Sequence, residues 1–398
     1  MPGGAGEMRW LTGARVALFG GAIVVFYLAV LFVGTLFRAD GAPPTDFLAF
    51  HAAGRLALAG RAPEAYDWDV LQQVQAGSLA EGAAGAPYLA WLNPPHFFFL
   101  VIPFAMLPYA WGWLVWVLAT GAVHAAAAWA VLGRPAAILA ALAAPPVLLT
   151  ASVGQNGLLT AGLIGLSFAL MDRRPWAAGL ALGLLTIKPQ FGLLLPLILA
   201  LTGRWRVFAA AAAVALAAMA LSWLAFGSAT WLAFLPSIAG NTERLLGPGL
   251  EVSPRIQSVF AFVARLTGED RAAMLAHGMA ALAAAALTLR LWLRRPEGPE
   301  EARAAAGIAA AYLMTPYVWG YDSPAIAIAV LFLARAGIRD GFLAWEKPLL
   351  LLACLWPALL VLHPFPLVMP LAWGLVLWLA WRRDRAWRLS PARCATMS

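Results

Sequence analysis

A chain of 398 residues that is 63% hydrophobic and 12% charged, with a mean hydropathy of +0.79, lies far from the roughly 25% charged content of a soluble domain and is excluded as an ordinary water-soluble globule. The net charge of +8 and pI near 10.1 do not point to nucleic acid, because Lys and Arg stand in short clusters between apolar runs, where a membrane topology signal puts them. Cys354 in an apolar run, Cys394 in a basic tail and five scattered histidines offer neither a disulfide framework nor a metal-ligand spacing.

The first apolar run, residues 14–37, exceeds a signal peptide's apolar core and lacks a small-residue cleavage site, so it reads as a retained span. Further spans are expected at residues 111–132, 136–151, 157–171, 176–187, 191–201, 207–226, 272–293, 304–318, 324–333, 349–362 and 367–381. The fold class is therefore all-α: a polytopic helical bundle of about 12 spans, forming one membrane domain over residues 1–398. Several runs are too short to cross about 30 Å of hydrocarbon at 1.5 Å per residue unless their flanks extend them, they tilt, or they re-enter. No internal repeat is visible, which weighs against a transporter.

Alternate connections carry Arg9 and Arg15, Arg134, Arg173 with Arg174, Arg204 with Arg206, Arg294 with Arg295, Arg335 with Arg339, and the tail of residues 382–398. Those connections and both termini are expected to be cytoplasmic. The segment 38–110 then becomes a long outer loop, acid-biased through Asp40, Asp46, Glu64, Asp67, Asp69 and Glu81. Within it, residues 46–60 predict a surface helix with Thr45 or Asp46 as N-cap, and the proline-interrupted stretch 93–108 predicts an interfacial or half-inserted helix.

Polar breaks in the apolar pattern supply the candidate site. Asp46 has two readings: an N-cap that satisfies free backbone N–H groups, or a general base placed where lipid meets water. Lys188, in LLTIKPQFGLLL, would cost roughly 2.5–3.5 kcal/mol if it faced lipid at mid-depth, so it is expected to face a cavity or the headgroup level. Pro189 frees carbonyls beside it, and Gln190 completes that polar knuckle. A phosphate is a natural counter-ion for Lys188 and for Arg255; snorkelling and a solvated loop are the plainer readings. GQNG brings Gln155 and Asn156, whose amides suit sugar hydroxyls or simply a tight turn. Gln257 follows Arg255, and TPYVWGYD brings Tyr317, Tyr321 and Asp322. All these breaks fall on the same predicted side, which points to one outward-facing cavity. His96 has two readings, a ligand or proton carrier and, more plainly, a satisfied interfacial histidine.

In order along the chain, TDFLAFHAAGRLALAGRAPEAYD, NPPHFFFLVIPFAMLP, GQNG, LALGLLTIKPQFGLLLPLILAL, IQSVFAFVARLTG and TPYVWGYD resemble glycosyltransferase family 87, the polyprenol-phosphate-mannose-dependent mannosyltransferase-like proteins of the C-type superfamily. The resemblance implies a multi-span fold, a catalytic aspartate in the first outer loop matching Asp46, a polyprenyl-phosphate sugar donor and inversion at the anomeric carbon. It implies, as partners, that donor, a glycolipid or glycan acceptor and the bilayer, and as location a multi-pass place in the inner (cytoplasmic) membrane with the site facing the periplasm or exterior. Lys188 or Arg255 would then hold the departing phosphate. Asn93 stands where an aromatic residue commonly precedes the Pro-Pro pair, and Ile256 where asparagine commonly precedes Gln-Ser, so acceptor choice is expected to differ. Asp67 and Asp69 have Asp-x-Asp spacing, but a donor without a nucleotide pyrophosphate gives no reason for a metal, and no cofactor is expected. A transporter or flippase of a lipid-linked sugar is the alternative; it would redistribute the sugar across the bilayer without transferring it.

Overall fold

A computed structural model describes residues 8, 10–39, 45–78, 89–246, 255–293, 298–363 and 365–389, without the side chains of 239–246. Asp40, Glu81, Arg9, Arg294, Arg295 and the tail from residue 390 lie outside these. The chain runs α1 (Gly13–Ala39), α2 (Phe47–Leu58), α3 (Trp68–Gly77), α4 (Phe98–Ala105), α5 (Tyr109–Leu132), α6 (Pro135–Leu142), α7 (Pro145–Val153), α8 (Gly157–Leu170) and α9 (Pro175–Leu184). It continues through α10 (Leu195–Leu201), α11 (Trp205–Leu246), α12 (Val259–Thr267), α13 (Asp270–Leu293), α14 (Glu300–Leu313), α15 (Ala325–Asp340), α16 (Glu346–Leu355), α17 (Leu359–Leu362) and α18 (Val368–Arg388). The all-α class holds among the described residues, where the one extended pairing is an isolated antiparallel bridge between Ile256 and Trp319.

Five helical stretches are long and apolar enough to cross a membrane: Gly13–Ala39, Tyr109–Leu132, Trp205–Ile238, Asp270–Leu293 and Gly320–Asp340. The pair α6 and α7, bent by 60° where Pro145 and Pro146 enter the chain, makes a sixth if it counts as one span. Most other expected spans form shorter helices; α8 and α14, at 14 residues each, reach only about 21 Å by helical rise, while α18, at 21 residues, ends in a run of charged residues. α1 turns Leu18, Phe19, Val25, Phe26 and Phe32 outward, a surface that suits lipid and not water. α8 and α14 are buried nearly all round, and their Gly and Ala residues allow the close helix approach that packing within a bilayer depends on.

Two expectations about local structure are corrected. Residues 46–60 are not a surface helix: nine residues of α2, from Phe47 to Leu56, are buried beneath Phe97 and Trp116, whose rings lie 5.4 and 5.6 Å from that of Phe50. Such aromatic contact outweighs the exposure suggested by Arg55. The span expected at 207–226 does not end there to leave residues 227–271 as an outer connection; α11 breaks only at Gly227 (φ 78°, ψ 166°) and resumes to Leu246, a left-handed φ that glycine alone adopts without strain.

The direction of the helices separates two ends. At one end lie the C-terminus of α8, the N-terminus of α14 and the C-terminus of α15, where Arg204 binds Asp172 at 3.0 Å, Arg335 binds Glu300 at 2.8 Å and Arg339 binds the fully buried Glu301 at 2.6 Å. Arg204, Arg335 and Arg339, three of the cations assigned above to the cytoplasm, thus gather in one ionic network. At the opposite end, α7 meets α8, α9 meets α10, and Leu313 leads toward α15.

Candidate active site

Asp46 stands at the N-cap of α2 with φ −55° and ψ −23°, and its side chain makes no capping hydrogen bond. The carboxylate turns instead to Gln155, whose Nε2 donates to Oδ2 at 3.3 Å. Position is thus that of a cap, while the side chain bonds to Gln155 and not to its own helix. Burial pushes the Asp46 pKa up, opposed by the Gln155 hydrogen bond and then by the fields of Arg255 and Lys188. Tyr109 steadies the approach to it, its hydroxyl accepting from the Thr45 backbone N–H at 2.8 Å.

GQNG is the hub that brings Asp46 to the other polar breaks. Gly154 has φ 71°, and a Cβ there would lie 2.6 Å from atoms of Phe47 and of Trp113; a Cβ at Gly157 would lie 1.9 Å from the carbonyl oxygen of Tyr321. The loop therefore abuts the residue after Asp46 on one side and the residue before Asp322 on the other. Thr150 strengthens the second contact, donating to the Tyr321 carbonyl at 2.6 Å. Gln155 faces Asp46, whereas Asn156, fully buried, turns its amide toward Asn93 at 3.5 Å.

Lys188 takes φ −134° and ψ 76°, out of the helical region as a residue before proline must. Its ammonium, on a side chain 13% exposed, meets Oδ1 of Asp322 at 2.5 Å and lies 5.1 Å from the centre of the Tyr321 ring. The counter-ion of the embedded lysine is therefore supplied by the protein itself, a pairing that the sequence did not disclose. Asp322 is 1% exposed, and its Oδ2 accepts from the Trp319 backbone N–H at 3.1 Å. The indole of Trp319 stacks on Tyr321 and is edge-on to Tyr317, so the tyrosines belong to the site wall as well as to any interfacial belt.

Arg255, exposed, precedes the bridge between Ile256 and Trp319. Its carbonyl accepts from Gly320 N–H at 3.1 Å, and Gln257 N–H donates to Val318 at 2.7 Å. Gln257 is buried and its Oε1 accepts from the Met369 backbone N–H at 3.4 Å, which ties it to α18. Gln190 sits half-buried in the 3-10 turn Pro189–Gly192. The residues brought together around Asp46 are thus Gln155, Lys188, Arg255, Tyr317, Tyr321 and Asp322, while Asn156 and Gln257 are turned into packing.

Three residues near the site were not among the candidate site residues read from the sequence: Asn93, tied there only to acceptor choice, His96, taken for an interfacial histidine, and Thr186. His96 is nearly buried, and its Nε2 lies 3.4 Å from the Thr186 hydroxyl; Thr186 is two residues from Lys188, and NPPH was the signal that contained the other two. Beside Lys188, an apolar groove of about 330 Å³ is lined by Leu185, Thr186, Pro189, Leu193, Phe208 and Ala212 among others. The arrangement sets the desolvated Asp46 carboxylate within the fields of Arg255 and of Lys188, the latter paired with the buried Asp322, near the rings of Tyr317, Trp319 and Tyr321. Chemically, a carboxylate so placed can accept a proton, and cations so placed can stabilise an anion.

No curated protein and no solved structure matches the chain. The family described as glycosyltransferase family 87 matches residues 91–318, more than half of the chain, and this span includes Gln155, Lys188, Arg255 and Tyr317 while Asp46, Tyr321 and Asp322 flank it. With several helices apolar enough to cross a bilayer, the chain belongs to glycosyltransferase family 87 and is a membrane glycosyltransferase.

Proposed function

We propose that the chain transfers a sugar, mannose or another hexose or pentose, from a polyprenyl-phosphate donor to a glycolipid or glycan acceptor, with inversion and with Asp46 as general base. The observation that carries this reading is Asp46 itself: a carboxylate at a cap position that does not cap, held by Gln155 within the fields of Lys188 and Arg255. In the reaction, Asp46 takes the proton of the acceptor hydroxyl as its oxygen attacks the anomeric carbon, and the bond to the polyprenyl phosphate breaks. Lys188 and Arg255 stabilise the phosphate that leaves. The apolar groove beside Lys188 suits a donor whose phosphate carries a hydrocarbon chain, and Tyr317 and Tyr321 offer faces on which a sugar ring can pack. Gln190 at the Lys188 knuckle and the amide of Gln155 complete the polar lining of this proposal, while Asn156 and Gln257, expected from the sequence to bind substrate, support it from within the packing.

The site opens on the outer face of the inner membrane in this reading, since the arginine network occupies the opposite end. About 12 membrane passages and a C-type architecture follow if the short helices pair across their breaks, as α9 with α10 around Pro189. The experiment is a reconstituted transfer assay with purified protein in liposomes. Label from a polyprenyl-phosphate sugar should enter the acceptor, and label from a nucleotide sugar should not. Redistribution of the donor across the bilayer without a glycosylated product would sink the proposal.

A further inference from the structure

The embedded lysine and the loop arginine come from distant parts of the chain, and one carboxylate connects both. Asp322 uses Oδ1 for Lys188 and Oδ2 for the Trp319 backbone. Trp319 is the residue bridged to Ile256, and the next backbone groups on either side clamp Arg255 and Gln257, through Gly320 N–H to Arg255 O and Gln257 N–H to Val318 O. We propose that Asp322 is a positioning residue that sets both arms of the phosphate cradle: it aims the Lys188 ammonium directly and fixes, through the Trp319 turn, the segment that presents Arg255. This rests on the phosphate role given above to Lys188.

Three features favour positioning over direct contact with substrate. Both carboxylate oxygens already accept from the protein. The group is 1% exposed while its lysine partner's side chain is 13% exposed, so it is the cation's side chain, and not the acid, that a ligand can reach. Lysine is a flexible point charge whose aim needs an anchor, and an ammonium bonded to one carboxylate oxygen keeps two N–H donors for a phosphate. The anchoring is itself secured, because Thr150 and Gly157 press on the Tyr321 carbonyl immediately before Asp322.

The test is a double-mutant cycle on donor kinetics, using Lys188→Met, Asp322→Asn and the pair in full-length reconstituted protein. Each single variant should lower kcat/KM for the polyprenyl-phosphate sugar by roughly 10- to 100-fold, the range expected for residues in one ion-pair network, and the double variant should be no worse than the weaker single. The KM for donor should rise in both single variants while that for acceptor stays unchanged, whereas a general loss of folded protein would lower apparent kcat and leave both KM values where they are. Additive losses would make Asp322 merely structural, and tighter donor binding by Asp322→Asn would make it a competing counter-ion; either result overturns the inference. If Lys188→Met alone leaves donor kinetics unaltered, the phosphate reading fails instead, so the two failures are distinct. Should Asp322→Asn not fold, Asp322→Glu carries the same cycle, since it keeps the charge and displaces it by one methylene.

Discussion

The substitution Asp46→Asn separates catalysis from structure because the two roles make opposite forecasts. The change removes a negative charge, keeps the shape, and leaves an oxygen able to accept from Gln155. If Asp46 is the base, turnover should fall by roughly 10²–10⁴-fold, the span for loss of general base catalysis, or about 2.7–5.4 kcal/mol in the barrier. A cap replacement that truncates the side chain costs about 0.5–2 kcal/mol in stability, but no capping bond exists here to lose. The pKa shift strengthens the contrast. A carboxyl whose folded pKa is raised contributes stability present below its unfolded pKa and lost as pH rises through the folded value, so at neutral pH the charge of Asp46 opposes folding. Asp46→Asn should therefore melt at or above the temperature of the parent while losing activity. Thermal unfolding in detergent and single-turnover transfer of labelled sugar, measured on the same preparation, check both halves. Near-normal transfer by the variant would refute the base assignment, and loss of both stability and activity would return Asp46 to a structural role.

The raised pKa also fixes the direction of a pH effect: the acidic limb of kcat/KM should fall at a pH above the ordinary aspartate range, and Gln155→Leu, which removes a bond to the charged form, should move that limb higher still. A limb at the unperturbed aspartate value in both proteins would count against Asp46 as the titrating group. Gly157→Ala should abolish both activity and the folded state, since its Cβ would stand 1.9 Å from a backbone carbonyl that cannot turn aside, whereas Gly278→Ala in α13, whose Cβ meets nothing within 4 Å, should leave melting temperature and transfer unaltered. For topology, in a background with Cys354 and Cys394 replaced by Ser, a membrane-impermeant maleimide applied to intact cells should label Asp69→Cys and spare Arg174→Cys; labelling of Arg174→Cys would invert the assigned sides.

Composition and breaker residues determined much of this protein on their own. An apolar content that water does not tolerate dictates a helical membrane chain, and the apolar runs 14–37, 111–132 and 272–293 appear as α1, α5 and α13, because a long uninterrupted run has no other way to satisfy its backbone in lipid. Pro189, Gly154 and Gly157 marked the places where the helices break, and the polar residues at those breaks were legible as one group because each costs too much to leave in hydrocarbon. What the sequence left open was which partner each polar group takes. Lys188 and Asp322 are separated by 134 positions, and no local pattern states that the lysine's counter-ion is a protein carboxylate. Asp46 likewise carried two readings, cap and base, and only the tertiary structure shows that its side chain bonds to Gln155 and not to its own helix. Local propensity follows from neighbours in sequence, whereas the choice among partners follows from the packing of α2, α8 and the Trp319–Asp322 turn, a packing set by glycines whose missing side chains let three distant segments meet.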